Sequence, residues 1–351
     1  MRWPQSASDG GAGAAGRGGR RVPCIVRADR IGDRVPAHAH GRVHSVFERA
    51  CNIETHTGEL VTLLAEELGT VPHGIGLAGP VAPFESWLIP GQNAILGNRV
   101  LCVPEAGITV DLSVAAVWCG AVTAVSLHPC GIAIAGALHE LRATLVKRAP
   151  EQGIAPLLVA PAGARSALER AFAARLSHTL PMLARATERR DVTAIVGAAA
   201  RLVGLGPGLT PSGDDFIAGY LAALRSRAGF DCSIDAMLQS LADALAPLFL
   251  RTNAISRQML SDAAQGRFAE RLIDVTRAVA GAGDVVGAAA RALASGHSSG
   301  ADTLCGLLFG YAPDLVMQTA PSPLDRSTRQ ALPRATQFES SAGRTAATAC
   351  Y

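Results

Sequence analysis

The chain has 351 residues, 49% of them hydrophobic and 17% charged, with 37 glycines and a formal net charge of +3. That length supplies ample core for one large domain or two, and so small a positive excess excludes a basic nucleic-acid surface, as do three tyrosines and three tryptophans for base stacking. Eight cysteines without a C-x-x-C pair read as reduced core thiols of a cytoplasmic protein.

Residues 1–35 read as a disordered or weakly ordered tail, its Gly/Ala/Arg opening lacking the continuous apolar segment of a signal peptide. Residues 36–115 carry short apolar runs punctuated by glycine and proline, which predict strands at 43–47, 74–77, 94–103 and 108–112. The run 60–68 fits a strand or a short helix equally. Residues 112–138 are apolar enough to be tested as a bilayer span, but His128 and Pro129 favour a buried element broken near the proline, and no membrane partner is expected. Residues 116–315 then change to helical periodicity, with helices expected at 135–147, 164–176, 191–202, 212–225, 234–245, 254–264, 268–279, 285–294 and 299–309. A Pro/Ser/Thr/Arg-rich disordered tail is expected over 316–351. The fold class is α+β, an N-terminal β-rich domain followed by a mainly α-helical one.

The chemistry concentrates at GLGPGLTPSGDDFIAG, residues 204–219. Ser212 is placed to cap a helix, with Asp215 completing a capping box and Phe216, Ile217, Tyr220, Leu221 and Leu224 on one face. Gly206, Gly208, Thr210 and Gly213 leave backbone N–H groups open at that helix start, an arrangement that accepts phosphate or carboxylate. The pattern Ser-Gly-x-Asp-x-x-x-Gly recurs from Ser299 and Gly300 through Asp302 to Gly306, after Gly296, His297 and Ser298. The two helix starts are therefore expected to form walls of one polar site; the alternative is two ordinary capping boxes in a helix-rich domain. In each helix the later glycine lies on the cap's face, where a second backbone can approach.

Between the repeats, Thr252 and Ser256 share a helical side with Asn253 beside them, and Arg251 is a bidentate partner for a carboxylate or an ordinary exposed arginine. His297 suits a general acid or phosphate ligand, or simply fastens its turn. His73, in Val71-Pro72-His73-Gly74, is the N-terminal histidine best placed to reach a domain interface. No Walker loop, nucleophile elbow, dinucleotide fingerprint or zinc spacing is present, so no nicotinamide, flavin or zinc is expected.

The segments Gly206-x-Gly208-Leu209-Thr210-Pro211-Ser212-Gly213-Asp214-Asp215-Phe216, Thr252 to Ser256 and Gly296-His297-Ser298-Ser299-Gly300-x-Asp302, with Pro72-His73-Gly74-Ile75 and residues 41–50, resemble the AllH-type family of the bacterial oxamate carbamoyltransferase complex over about residues 38–315. The resemblance implies a subunit of a carbamoyl-transfer enzyme of allantoin and purine breakdown, exchanging a carbamoyl group between oxalurate and phosphate to give oxamate and carbamoyl phosphate. It also implies protein partners and a small acidic or carbamoyl-bearing substrate. On that footing Asp214 and His297 are the candidate catalytic residues. Mg²⁺ held by Asp214, Asp215 and Asp302 would reconcile three acids with an anion site. The alternative is a non-catalytic ligand-binding or structural subunit whose partners supply the active-site groups.

Overall fold

The computed structural model describes residues 24–122, 131–148, 150–158, 166–206 and 208–317. Strands β1 (Cys24–Gly32), β2 (Ala39–Val46), β3 (Ala50–Thr55), β4 (Leu60–Leu64), β5 (Gly74–Leu77), β6 (Asn93–Gly97), β7 (Val100–Val103), β8 (Ile108–Asp111) and β9 (Ala116–Trp118) build the N-terminal half. They form one nine-stranded sheet in the order β5-β4-β3-β2-β6-β7-β8-β1-β9, with an additional β5–β1 pairing that closes the sheet on itself. β1 makes the closure by lending its first residues to β8 in parallel and its later ones to β5 antiparallel. Val43, Ile53, Leu63, Ile75, Leu101 and Val110 point into the resulting core, and closure leaves few strand edges unpaired.

Three expectations change here. The sheet begins at Cys24, inside the stretch expected to be a tail. The apolar run 94–103 is two strands, because Asn98 and Arg99 both take positive φ (52° and 56°) and turn a two-residue hairpin without glycine. The undecided run 60–68 divides into β4 and a 3-10 turn, Glu66–Leu68.

The helices are α1 (Gly131–Arg148), α2 (Ala155–Leu158), α3 (Ala167–Glu188), α4 (Val192–Ala199), α5 (Ser212–Ala228), α6 (Cys232–Leu245), α7 (Ala254–Ala264), α8 (Glu270–Arg277), α9 (Val285–Leu293), α10 (Ser299–Tyr311) and α11 (Pro313–Met317). α3 starts on a Ser166/Glu169 capping box and continues through Pro181, well past the expected end at 176. Of the apolar run 112–138, residues 123–130 lie outside the described residues, as does the expected tail from 318 onward. Among the described residues one stretch, Cys232–Arg251, is long and apolar enough to cross a membrane. It consists of α6 and a following 3-10 segment, and Ile234, Met237, Leu241, Leu245 and Phe249 within it pack into the helical core. Cys24, Cys51, Cys102, Cys119, Cys232 and Cys305 are free thiols.

α5 and α10 form the central pair of this layer and are buried along most of their length, as helices without a polar face must be. Their crossing rests on the two late glycines. A Cβ on Gly219 would stand 1.8 Å from the Thr303 carbonyl oxygen, and one on Gly306 would stand 1.9 Å from that of Phe216. The repeat seen in the sequence is thus a reciprocal backbone contact.

The turn between α7 and α8 fastens the helices to the barrel. The Glu270 backbone N–H donates to the Thr70 carbonyl at 2.9 Å, the Thr70 N–H donates to Glu270 Oε2 at 2.9 Å, and Arg30 pairs with Oε1. Nearby, Arg267 pairs with Asp33 and Phe268 N–H donates to the Gly120 carbonyl at 2.9 Å. Glu270→Ala leaves the buried Thr70 N–H without its acceptor, and we expect a loss of about 2 kcal/mol in urea unfolding. An unchanged midpoint would show that this contact does not hold the two parts together.

Candidate functional site

Between the barrel and the helices lies a cleft of about 390 Å³, a volume in the range of small-molecule sites. Its barrel wall carries Phe47, Asn52, Leu60, Thr62 and His73, and its helical wall carries Asp215, Ile255, Met259, Asp262, Ser299 and Leu304. The surface is mainly apolar, with polar groups at separate points.

Asp215 is the least satisfied of these. It is fully buried, it faces the cleft, and neither carboxylate oxygen has a hydrogen-bond partner. The Ser299 and Thr210 hydroxyls lie beside it. Burial pushes its carboxyl well above the ordinary range; the nearby Asp302 and Asp214 charges push the same way, against those two hydroxyls. Asp302 stands across the α5–α10 pair. Its Oδ1 accepts the Ile154 and Ala155 N–H groups at 2.6 and 3.2 Å, its Oδ2 has no partner, and burial raises it to about 6 despite those donors and the Ser212 hydroxyl. The two halves of the repeat therefore face each other, with the Ser299 hydroxyl near Asp215 and the Ser212 hydroxyl near Asp302. Of the two starts, Ser299 and Gly300 line the cleft and Ser212 and Gly213 do not, so they are not the two open walls that the sequence suggests.

The caps are different from those expected. Pro211 and Ser298, not Ser212 and Ser299, occupy the N-cap positions, and neither helix has a side-chain cap bond. The Ser212/Asp215 capping box does not form, because both residues already lie in the first helical turn. Nor is the α5 start an open row of donors. Gly213 N–H donates to the Leu205 carbonyl at 2.8 Å, while Asp214 and Asp215 N–H donate to the Pro211 carbonyl at 2.8 and 3.2 Å. Gly213 and Gly300 are small for a packing reason: a Cβ would stand 2.0 Å from the Leu202 carbonyl oxygen and 2.1 Å from that of Ala292.

Asp214 is fully buried and serves as a clamp. It accepts Gly204 N–H at 2.7 Å and the Thr252 hydroxyl at 2.5 Å, with the buried Ser256 hydroxyl close by; burial raises its carboxyl against these donors. Asn253 caps α7 through Ser256 N–H at 3.0 Å and holds the Leu209 carbonyl at 2.8 Å. Gly206 and Gly208 supply φ of 114° and 104° for the loop above, a conformation that needs glycine. Arg251 and His297 are exposed and line no part of the cleft. Of the residues singled out in the sequence, His73, Thr210, Asp215, Ser299 and Gly300 line the cleft. Gly206, Gly208, Ser212, Gly213, Asp214, Thr252, Asn253, Ser256, Ser298 and Asp302 instead shape or surround its helical wall.

The three aspartates do not fit a protein-built Mg²⁺ site. Asp214 and the Oδ1 of Asp302 spend their lone pairs on N–H and O–H donors. Among the described residues no group of three or more His, Cys, Asp or Glu side chains is placed to hold a metal ion.

Two groups escaped the sequence reading. Asp262 and Gln258 sit one turn apart on α7 and meet His73 across the domain boundary; a polar pair on an amphipathic helix gives no local sign of this. Gly153, with φ of 93°, lets residues 153–155 wrap Asp302, and a Cβ there would stand 2.6 Å from the carboxylate.

Two family models match the chain. The AllH family N-terminal domain covers residues 25–117, and the oxamate carbamoyltransferase subunit AllH covers residues 202–311. No solved structure matches. Both matched segments contribute walls to the cleft.

Proposed function

The chain belongs to the AllH family of oxamate carbamoyltransferase subunits, and we propose that its part in that enzyme is to bind the carbamoyl-bearing substrate in the cleft between barrel and helices. The reaction on this reading is transfer of a carbamoyl group between oxalurate and phosphate, giving oxamate and carbamoyl phosphate. The observation that carries it is Asp215, a buried, unpartnered carboxyl at the wall of the cleft. Such a group is costly unless a ligand completes it. Held towards its neutral form by burial, it offers an O–H to an acidic substrate and a carbonyl oxygen to a carbamoyl N–H. A proton thereby reconciles the acids with an anionic ligand. Ser299 and Thr210 add hydroxyls on the same side, and the α10 start places Ser299 and Gly300 at the cleft.

A shared active site is favoured over an autonomous one by the arginines. Arg267 and Arg271 line the cleft, yet the first is paired with Asp33 and the second with the Arg291 and Glu67 carbonyls and the Ser295 hydroxyl. The cation for a phosphate is then supplied by a partner subunit.

Asp215→Ala tests the assignment. In the assembled complex we expect oxalurate affinity to fall about tenfold or more, while the chain itself stays as stable as the parent, because an unsatisfied buried group has been removed. Calorimetric affinity equal to the parent's would remove Asp215 from the site. Turnover appearing only when partner subunits are added would support the shared reading, and full turnover by the chain alone would overturn it.

A further inference from the structure

We infer that His73 and Asp262 form a proton-transfer dyad in the cleft, with His73 Nε2 carrying the proton between the attacking oxygen and the leaving nitrogen and Asp262 holding the ring. The inference rests on the carbamoyl-transfer reading and adds the acid–base group that the reaction needs.

The geometry is built from both halves of the molecule. His73 enters from the barrel, where its carbonyl accepts Thr62 N–H at 2.9 Å and a Val71–Gly74 turn bond of 2.8 Å fixes the backbone just before β5. Asp262 enters from α7. Its Oδ2 lies 3.1 Å from His73 Nδ1, and the two side chains are only 8% and 9% exposed. Gln258 approaches the same nitrogen at 3.2 Å and takes Leu60 N–H on its own carbonyl. One Nδ1 cannot serve both a carboxylate acceptor and an amide donor. The carboxylate acceptor decides the tautomer, since charge-assisted bonds are the stronger. Nδ1 therefore carries the proton, and Nε2 is left as the basic atom of a ring that lines the cleft. Among the described residues no protein group bonds to Nε2. A buried carboxylate that orients a histidine in this way is the arrangement that makes imidazole an acid–base catalyst.

The step balances without a further reactant. As a phosphate oxygen forms its bond to the carbamoyl carbon, Nε2 takes the proton from that phosphate. As the bond from the carbamoyl carbon to the oxamate nitrogen breaks, the nitrogen keeps the electron pair and receives the same proton. His73 ends as it began. Asp262 acts through the ring and is a positioning residue.

The test uses the complex of this chain with its partner subunits, supplied with oxalurate and phosphate. His73→Asn keeps an amide nitrogen near the Nδ1 position, so the bond to Asp262 persists while Nε2 is lost. We expect kcat to fall by about 10²–10⁴-fold with KM for oxalurate within about threefold, because the lost interaction belongs to the transition state. In His73→Gly, added imidazole is expected to restore part of the rate. Asp262→Ala is expected to lower kcat without raising KM and without rescue by imidazole. If His73→Asn fails to fold, His73→Gln is judged by the same split. Parental kcat in the folded His73 variant, or a loss carried by KM alone, overturns the dyad while leaving carbamoyl transfer standing. No turnover by the parent complex overturns that reading and the dyad with it.

Discussion

Gly219→Ala and Gly306→Ala are each expected to cost the helical domain about 3 kcal/mol or more, enough to remove most of the margin of an ordinary domain. The new methyl carbon would meet a backbone carbonyl oxygen at 1.8 or 1.9 Å. A flexible side chain could swing aside. These carbonyls belong to the partner helix of a buried pair, so the helices must separate and open the packing of Phe216, Phe309 and Tyr220 around the crossing. Gly197→Ala, inside α4, is the control. Nothing stands within 4 Å of its added methyl, and alanine is the better helix former by up to about 1 kcal/mol. Urea unfolding of the three variants decides the matter. Equal midpoints for Gly197→Ala and Gly219→Ala would show that the crossing yields more easily than its geometry implies.

Those glycines also show what the sequence makes legible. The recurrence of Ser-Gly-x-Asp-x-x-x-Gly was enough to anticipate a close backbone approach, because spacing alone puts the cap and the late glycine on one face. What each residue does at the helix starts was not legible. Ser212 and Ser299 look like caps by type and position, yet Pro211 and Ser298 take the cap positions and the serines turn to aspartates across the pair. Asp214 looked the more available acid because Asp215 had a capping role to fill. With no capping box, the assignments reverse: Asp214 is bound by Gly204 and Thr252, and Asp215 faces the cleft. His73 meets Asp262, which lies 189 positions away in the chain. Contacts at that range leave no periodicity to read. In the barrel, an Asn-Arg turn lacked the glycine by which a two-residue hairpin is usually recognised.

Raising the pH from about 4 to 7 is expected to destabilise the chain through two buried acids of α5 and α10, Asp215 and Asp302. Burial raises Asp302 from 3.8 to about 6, against the Ser212 hydroxyl and the Ile154 and Ala155 N–H groups that favour its charged form. Burial moves Asp215 in the same direction. A carboxyl that holds its proton more tightly when folded stabilises the fold fully below its unfolded value near 3.8, and that contribution is lost as pH rises through about 6. For Asp302 the difference of about two units corresponds to about 3 kcal/mol between the two limits. Asp111 and Asp231 act oppositely. Their carboxyls are held low by bonds to Ser113 and Ser233, so what they contribute is present above the unfolded value and lost only as pH falls below it. Thermal stability should therefore peak near about pH 4 and decline as pH rises through about 6. Asp302→Asn keeps an oxygen for the Ile154 and Ala155 N–H groups, cannot ionise, and places an amide near the Ser212 hydroxyl. We expect it to match the parent near pH 4, to exceed it at pH 8, and to show a smaller fall between them. A parent melting temperature that is level from pH 4 to 8, or an Asn variant weaker than the parent at pH 8, would mean that Asp302 is charged and satisfied in the folded chain. The neutral-acid account of the neighbouring Asp215 would then lose its physical basis, because the same burial within the same helix pair acts on both.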